Sequence, residues 1–522
     1  MLHRPFPRLV VVGGGPVGLA AALSLARQGL AVTVLEADDG VCEGSRAICI
    51  SRRSLQVLAR LGVAERFLSR GLAWTEGRSY LGTQEIFHLD MPWTADDRFP
   101  PFINLQQFHA EAFLREACVD TGLVDLRTGH RVCGIEARPD HVGLTVDTGT
   151  GRVGLEAEWV VAADGARSFI REQGLGLKLE GRSYEGRYLI ADIALECDWP
   201  TERKVWFDPE SNPGSTIIMH RQPDAVWRID YQLLDHEDGE EALREDNVTA
   251  RIAAHLGMIG LDRPWRLLWR SLYRAHTLSL GDYVHGRVIF AGDAAHLVPI
   301  FGVRGLNSGF DDAANLAWKL GRIVRGEASP SLLDSYTQER RGACLENIES
   351  AAKSTWFMSP PTAGYALVRD AVLELSTRHP VFRVLIDPRQ SSAHLYRSDA
   401  IDGGEAAPWL GLPLPECRLS DGRSLHDAIG PDFAAIHVDA KASAPVLDRI
   451  EAGELELAIL HLPAADPAAT TLRMRARDLM LVRPDGYVAA VNRGVGAGAV
   501  PRALRQALSR IGLPQREDDR AR

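Results

Sequence analysis

The chain has 522 residues, 45% of them hydrophobic and 25% charged, and a formal net charge of −10. Those proportions suit a globular protein of roughly two to four domains and exclude a disordered or collagen-like chain. The acidic balance argues against a nucleic-acid partner, and seven scattered cysteines without a C-x-x-C argue against a disulfide framework or a zinc site.

Leu9 to Ala26 lacks charged side chains and follows Arg4 and Arg8, so it has the outline of a signal peptide or a membrane span. Glycines and a proline interrupt it, and a strand, a turn and a helix explain it better. "RLVVVGGGPVGLAAALSLARQGLAVTVLEAD" reads as a strand at Leu9 to Val12, a small-residue helix over Ala20 to Arg27 and a second strand at Ala31 to Leu35. Gly13, Gly15 and Gly18 form G-x-G-x-x-G, the spacing that cradles a dinucleotide. The first glycine makes the turn, the second admits a pyrophosphate, and the third seats the helix against the strand. Glu36, about twenty residues on, can accept from ribose hydroxyls and would repel a 2′-phosphate. The cofactor-facing set here is Gly13, Gly15, Pro16, Val17, Gly18, Glu36 and Ala37. The motif alone does not separate FAD from NAD. A later "GVGAGAV", 494 to 500, lacks a matching helix and acid and reads as a surface loop.

Two further strands run into acidic turns. "EWVVAADGARSFIRE" places Asp164-Gly165 after the strand Trp159 to Ala162. "VIFAGDAAHLVPIFGVRGLNSGFDDAANLAWKL" places Gly292-Asp293 after an apolar strand, then a loop, then a long helix beginning near Gly305-Leu306-Asn307. No bulky charge covers that helix start, so its free N–H groups and partial positive charge await an electron-rich partner.

G-G-G-P-V-G-L, D-G-A-R-S and the late G-D segment together resemble the FAD-dependent aromatic hydroxylases, the single-component flavoprotein monooxygenases of the para-hydroxybenzoate hydroxylase and phenol hydroxylase group. The resemblance covers roughly residues 8 to 345. It implies an α/β fold: a Rossmann-like FAD-binding domain, an inserted antiparallel β-sheet substrate domain and a C-terminal thioredoxin-like α/β domain. It also implies bound FAD, with Asp164, Gly165, Gly292 and Asp293 touching it and the helix start at Gly305, Leu306 and Asn307 facing the flavin N1 and C2=O. By the same resemblance, Arg46 in "GSRAICISRRSLQVLARLG" lies near the flavin or its pyrophosphate. Gln107 in "LQQFHAEAFL" reaches the flavin side. Taken alone, Arg46 also reads as a surface arginine and Gln107 as an ordinary first-turn residue. The late loop departs from the family pattern at Pro299-Ile300-Phe301-Gly302-Val303-Arg304-Gly305, where a second proline is usual.

The expected organisation is 1–180 for the first part of the FAD domain, with a substrate-domain strand near 78–100. The substrate sheet follows over 181–280, the second FAD part and connecting helices over 281–400, and the C-terminal domain over 401–522. "RYLIADIAL", "KVWFDP", "STIIMHRQ" and "AVWRIDYQLL" alternate as antiparallel strands. "YLGTQEIFHL" adds one more. On that sheet His220 is placed as the base for a phenol, Arg221 as a partner for phenolate or carboxylate, and Tyr231 as a further catalytic candidate. Pro299 borders the oxygen-reacting face of the ring. Competing readings make His220 a satisfied buried histidine and Arg221 a solvated strand-edge charge. Ser331 to Ser350 and 351 to 400 read as helical, with a break at 359 to 361, and "LVRPDGYVAAV" as strand, turn, strand.

The implied activity is hydroxylation of a phenol-like ring with O2 and NADH or NADPH, through a flavin C4a-hydroperoxide. Two alternatives remain at this level: the same flavin chemistry on a non-aromatic or polyketide-type product, by Baeyer–Villiger insertion or epoxidation, and a non-catalytic flavin-binding protein. No metal, nucleic acid or membrane partner is expected. A cytoplasmic setting and a homodimer, supported by the C-terminal domain, fit the sequence.

Overall fold

The computed structural model describes residues 8–42, 44, 47–94, 97–299, 302–386, 393–401 and 407–513, the side chains of 183–185 and 275 excepted. Arg46, Ile300 and Phe301 lie outside the described residues.

Leu9–Val12 is a wholly buried strand. It sits between Val32–Leu35 and Trp159–Ala162, parallel to both. Val124–Arg127 and Val288–Phe290 extend this parallel core, and Val284–His285 closes it as an antiparallel edge, giving six strands. The strands are near-continuous apolar runs because they are covered by helices and by the antiparallel sheet Arg131–Ala137, Val142–Asp147, Arg152–Ala157, whose Val132, Val142, Leu144 and Val146 join the same core. The helices Pro16–Ala26 and Gly305–Val324 pack against each other through Val17. Its side chain fills a socket where a Cβ at Gly309 would stand 2.3 Å from Val17 Cγ2 and one at Gly292 3.1 Å from it. A Gly309→Val substitution overfills that socket and is expected to cost about 1–3 kcal/mol, read as a lower thermal midpoint of the purified protein.

The second layer is an eight-stranded sheet. It runs His296–Leu297, Trp265–Ser279, Glu180–Leu195, Val226–Leu233, Thr216–Gln222, Arg203–Phe207, Glu76–Leu81, Gln84–Asp90. The segment 80–89 expected as one strand is the turn and second arm of a hairpin: Gly82, at φ +56, reverses the chain between Glu76–Leu81 and Gln84–Asp90. Along Val226–Leu233, Trp227, Ile229, Tyr231 and Leu233 pack into an apolar cluster with Val248 and Ile252 of the helix Glu245–Met258. Arg228 and Asp230 turn to the other face, toward the strand Cys49–Ser51.

The C-terminal region forms a five-stranded sheet, Val446–Ala452, Leu455–Leu462, Ala434–Val438, Leu479–Val482, Val488–Asn492, parallel between its second and third strands. The 494–500 stretch, expected to lack a following helix, runs into the helix Val500–Arg510, which buries Val500, Leu504, Ala507 and Leu508 against this sheet. The 351–400 stretch is less helical than expected. The helix Asp334–Met358 ends at Ser359, Thr362 caps Ala363–Arg378, and 393–401 is irregular. Among the described residues no helix is long and apolar enough to cross a membrane, and no group of His, Cys, Asp or Glu could hold a metal ion. All seven cysteines are free thiols.

Candidate active site

At the carboxyl ends of the parallel strands, Gly13 has φ +106, and a Cβ on it would meet Ala163 O at 2.3 Å. A Cβ on Gly18 would meet Gly13 O at 2.0 Å. Both glycines are required by the protein itself. Gly15 is different: its φ is −72 and nothing lies within 4 Å of where a Cβ would stand. Pro16 then opens the helix at its first turn. Glu36 is held by backbone donors, accepting from Gly14 N and, at 2.9 Å, from Asp38 N. Ala37 follows it into the open crevice, where open α/β sheets take their ligands.

Asp164 and Gly165 continue this edge. Gly165 has φ +79 and open space before it. Asp164 Oδ2 accepts from Ile170 N at 3.1 Å, while Oδ1 is buried with no partner among the described residues. Burial pushes this carboxyl upward. Arg171, 2% exposed, joins the two acidic turns by donating to Ala166 O at 2.7 Å and Ala294 O at 3.0 Å. Asp293 is exposed on the turn Gly292–Ala294.

The helix Gly305–Val324 starts without a side-chain cap. The N–H groups of Gly305, Leu306 and Asn307 therefore lack the partners that an interior turn supplies. The Asn307 side chain is committed elsewhere. Its Oδ1 accepts from Ser51 N at 2.8 Å and Ser54 Oγ at 2.6 Å, and its Nδ2 donates to Cys49 O at 3.1 Å and Val303 O at 2.6 Å. Asn307 thus offers a ligand only its backbone. Those bonds hold Val303 at φ +54, a conformation costing a β-branched residue roughly 1–3 kcal/mol. Pro299 is buried just before Ile300 and Phe301. Gln107 opens the helix Gln107–Asp120, accepts from Ala47 N at 3.3 Å and donates to Glu111 at 3.0 Å, so it anchors the chain at Ala47.

The donor set fits FAD. A cleared glycine and an acid stand where a diphosphate and a ribose would lie, and an uncapped helix start stands where an electron-rich ring edge would lie.

Across from this edge, five strands of the large sheet align one polar row in register: Trp269, Asp192, Arg228, His220, Arg203. Arg228 is paired to Asp192 through two bonds of 2.8 Å. Arg203 is 7% exposed and has no carboxylate within ion-pair distance among the described residues. Its Nε, the Nδ1 of His220 and the Oδ1 of Asp230 are all buried without a partner there. Burial, then Arg203 and Arg228, hold His220 well below its usual range, so it is neutral. Burial pushes Asp230 up to about 7 against the pull of Arg228. The flavin-domain strand Cys49–Ser51 faces the row. Burial pushes Cys49 up to about 12, and its thiol donates to Asn104 Oδ1 at 3.1 Å. Trp74 meets the His220 ring edge-on at 6.3 Å.

Two placements differ from expectation. Tyr231 is three residues on from Arg228, an odd offset that puts it on the helix-covered face, where it donates to Arg251 O at 3.3 Å. Arg221 points the same way, donating to Trp199 O at 2.6 Å with its guanidinium 6.0 Å from the Trp227 ring centre. His220 alone of the three faces the flavin-domain strands. Arg203 and Asp230 were missed, although alternation along Val226 to Leu233 already separated Asp230 from Tyr231.

Residues 8–351 match the family described as FAD binding domain, and residues 407–512 match the aromatic-ring hydroxylase C-terminal family. A 3-(3-hydroxy-phenyl)propionate/3-hydroxycinnamic acid hydroxylase 2 from Burkholderia vietnamiensis (strain G4 / LMG 22486) is 29% identical over 96% of this chain and 97% of its own. A hydroxylase of the same description from Klebsiella pneumoniae subsp. pneumoniae is 30% identical over 82% of this chain and 77% of its own. The solved p-nitrophenol 4-monooxygenase PnpA from Pseudomonas putida DLL-E4 is 27% identical, covers 74% of this chain and 99% of its own, and superposes with a TM-score of 0.63. The flavin-dependent monooxygenase PieE, solved with FAD and substrate, shares the fold at a TM-score of 0.80 and 22% identity, covering 97% of this chain and 99% of its own. The FAD-binding match covers most of the chain and the aromatic-ring hydroxylase match covers its C-terminal region, and the chain is a member of the FAD-dependent aromatic-ring hydroxylase family.

Proposed function

We propose that the chain hydroxylates a phenol carrying a carboxylate arm, with NADH or NADPH and O2 as co-substrates, and that the ring lies between the flavin and the Arg203–His220 row. The observation that carries this reading is a buried guanidinium without an ion pair beside a neutral imidazole with an open nitrogen. A buried unpaired charge is costly and calls for an anionic partner. The relatives named above act, by their names, on hydroxyphenyl-propionates, which carry both a phenol and a carboxylate.

Bound FAD supplies the electrons taken from the nicotinamide and the activated oxygen. Gly13, Gly15, Pro16, Val17, Gly18, Glu36 and Ala37 hold its dinucleotide end. Asp164, Gly165, Gly292 and Asp293 hold its middle, and the Gly305–Asn307 amides face its pyrimidine edge. Pro299 would border the ring, and Gln107, at the start of its helix, and Arg46 would complete the cofactor-facing set. Neutral His220 accepts a hydrogen bond from the phenol hydroxyl at Nδ1, raising electron density on the ring when the substrate is attacked. Arg203 fixes the carboxylate through its planar fork. Trp74 and the strand Cys49–Ser51 exclude water from the opposite wall. A reducing, cytoplasmic setting suits seven free thiols, and a homodimer is compatible with this reading.

The test is a panel of hydroxyphenyl-alkanoates, hydroxybenzoates, nitrophenols and their methyl esters, scored by stimulated NAD(P)H oxidation and by oxygen incorporated into product. The free acids are expected to be favoured over their esters by about 100-fold in kcat/KM. Equal rates for acid and ester would remove Arg203 from the reading, and no stimulation by any phenol would leave a flavin-binding protein without turnover.

Asp230 has a separate signature. Its folded pKa lies above its unfolded value, so the native state holds the proton longer and the group's contribution to stability falls as pH rises from about 4 through about 7. An Asp230→Asn variant is expected to melt near wild type at pH 4 and several degrees higher at pH 8, by calorimetry across that range.

A further inference from the structure

The C-terminal sheet meets the flavin domain through an apolar cluster that includes Trp318 and Leu332, and through a polar turn, Arg483-Pro484-Asp485-Gly486-Tyr487, between the strands Leu479–Val482 and Val488–Asn492. The ion-pair cluster at this turn is buried: Arg483, Glu339 and Lys319 are 0% exposed and Asp485 1%. The Asp485 carboxylate accepts from Asn315 at 3.2 Å and from Trp318 at 3.3 Å, both on the helix Gly305–Val324. Its carbonyl accepts from Arg53 at 2.6 Å, and Arg53 donates at 2.9 Å to Asp311 on the same helix. Tyr487 stacks on Tyr396 with centroids 3.8 Å apart and planes 9° from parallel. The Tyr396 hydroxyl accepts from Arg340 at 2.7 Å, and Arg340 in turn holds Ser308 O at 3.1 Å and Asp312 Oδ1 at 2.6 Å. Asp312 Oδ2 accepts from Gly292 N at 2.9 Å, on the acidic turn expected against the cofactor.

One turn of the C-terminal domain therefore fixes the helix on successive turns, directly or through one or two intermediaries. Apolar packing would dock the domain as well, because buried ion pairs seldom improve on well-packed hydrophobic residues. What the polar network adds is a defined position for the helix. A helix start stabilises charge only over its first turn, so its effect on a reduced flavin depends on where the tip stands.

We propose that the Arg483–Tyr487 turn is a positioning clamp for the flavin-facing helix, with Asp485 and Tyr396 as its positioning residues, so that the C-terminal domain sets the field felt by the flavin. This rests on the placement of the flavin at the Gly305–Asn307 amides. No residue of the clamp touches substrate.

The experiment uses the FAD-loaded full chain and four variants: Asp485→Asn, Tyr396→Phe, Leu460→Ala and Leu306→Pro. The readouts are sulfite affinity, which reports stabilisation of negative charge on the pyrimidine edge, the flavin midpoint potential and the thermal midpoint. Asp485→Asn and Tyr396→Phe are expected to weaken sulfite binding about 5- to 10-fold and lower the potential. Leu460→Ala opens a C-terminal apolar cluster that holds no residue of the flavin-facing helix and is expected to lower the melting temperature with sulfite affinity unchanged. If the clamp variants move only the melting temperature, as Leu460→Ala does, the clamp is overturned. Leu306→Pro removes one amide donor in the first turn, where proline is tolerated. It should weaken sulfite binding on its own; if it does not, the flavin placement itself is wrong and the clamp falls with it.

Discussion

Replacing Arg203 by alanine is expected to raise KM for a carboxylated phenol about 100-fold, with a much smaller change for its methyl ester. The estimate follows from losing a desolvated, charge-assisted contact worth about 2–5 kcal/mol. In the free protein the same residue is a buried charge without an ion pair among the described residues, favoured only by the fields of Cys49 and Asp230. Its removal is therefore expected to leave the thermal midpoint unchanged or raised, even as binding collapses. Arg228 would behave in the opposite way. Its guanidinium is committed to Asp192 at 2.8 Å, so its loss strands a buried carboxylate and destabilises the sheet. Steady-state kinetics on acid and ester pairs, with melting curves on both variants, separate a ligand contact from a structural pair. An Arg203→Ala enzyme that loses stability while keeping its preference for the acid would contradict the assignment.

The second large effect is at Gly15. A Gly15→Val substitution is expected to abolish FAD retention, weakening binding by 100-fold or more, while the apoprotein keeps or gains stability. Nothing in the protein needs a glycine there: φ is −72, any L-residue can adopt it, and the space for a side chain is empty. Removing a glycine of compatible conformation stabilises by about 0.4–1 kcal/mol through the unfolded chain. The empty space is what a diphosphate would use. Gly13 and Gly18 give no such separation, because a side chain there collides with backbone before any ligand arrives. Flavin absorbance after purification, with the apoprotein melting temperature alongside, decides the matter; a yellow Gly15→Val protein with wild-type flavin content would contradict the placement of the dinucleotide.

These two residues mark what could be read from the chain and what could not. Gly15 was legible because its meaning lies within a short run: strand, turn, helix, strand and acid are consecutive, and local spacing states the geometry. Arg203 was not. It meets His220, Arg228 and Asp192 only through the registers of neighbouring strands, and no run of residues records which strands pair. Arg221 and Tyr231 failed for a related reason. Alternation separates two faces but does not say which is covered by protein. The helix Glu245–Met258, unread in the sequence, takes the Tyr231 face. Asn307 was placed correctly at the helix start, yet its side chain is spent on Ser51, Ser54, Cys49 and Val303, bonds that span the chain. Asp485 read as part of a simple strand-turn-strand because its partners, Asn315 and Trp318, lie far away in sequence.

The central claim is that a phenolic ring held by the Arg203–His220 row is hydroxylated at the flavin bound across the sheet's carboxyl edge. The most direct measurement is turnover of the FAD-loaded enzyme under 18O2 with a 3-hydroxyphenyl-alkanoate and NAD(P)H, followed by mass spectrometry of the product. The account predicts one labelled oxygen on the ring per nicotinamide oxidised, falling sharply in His220→Ala and Arg203→Ala. Nicotinamide oxidation that yields only hydrogen peroxide with every phenolic acid offered, or labelled product formed equally well by both variants, would contradict it.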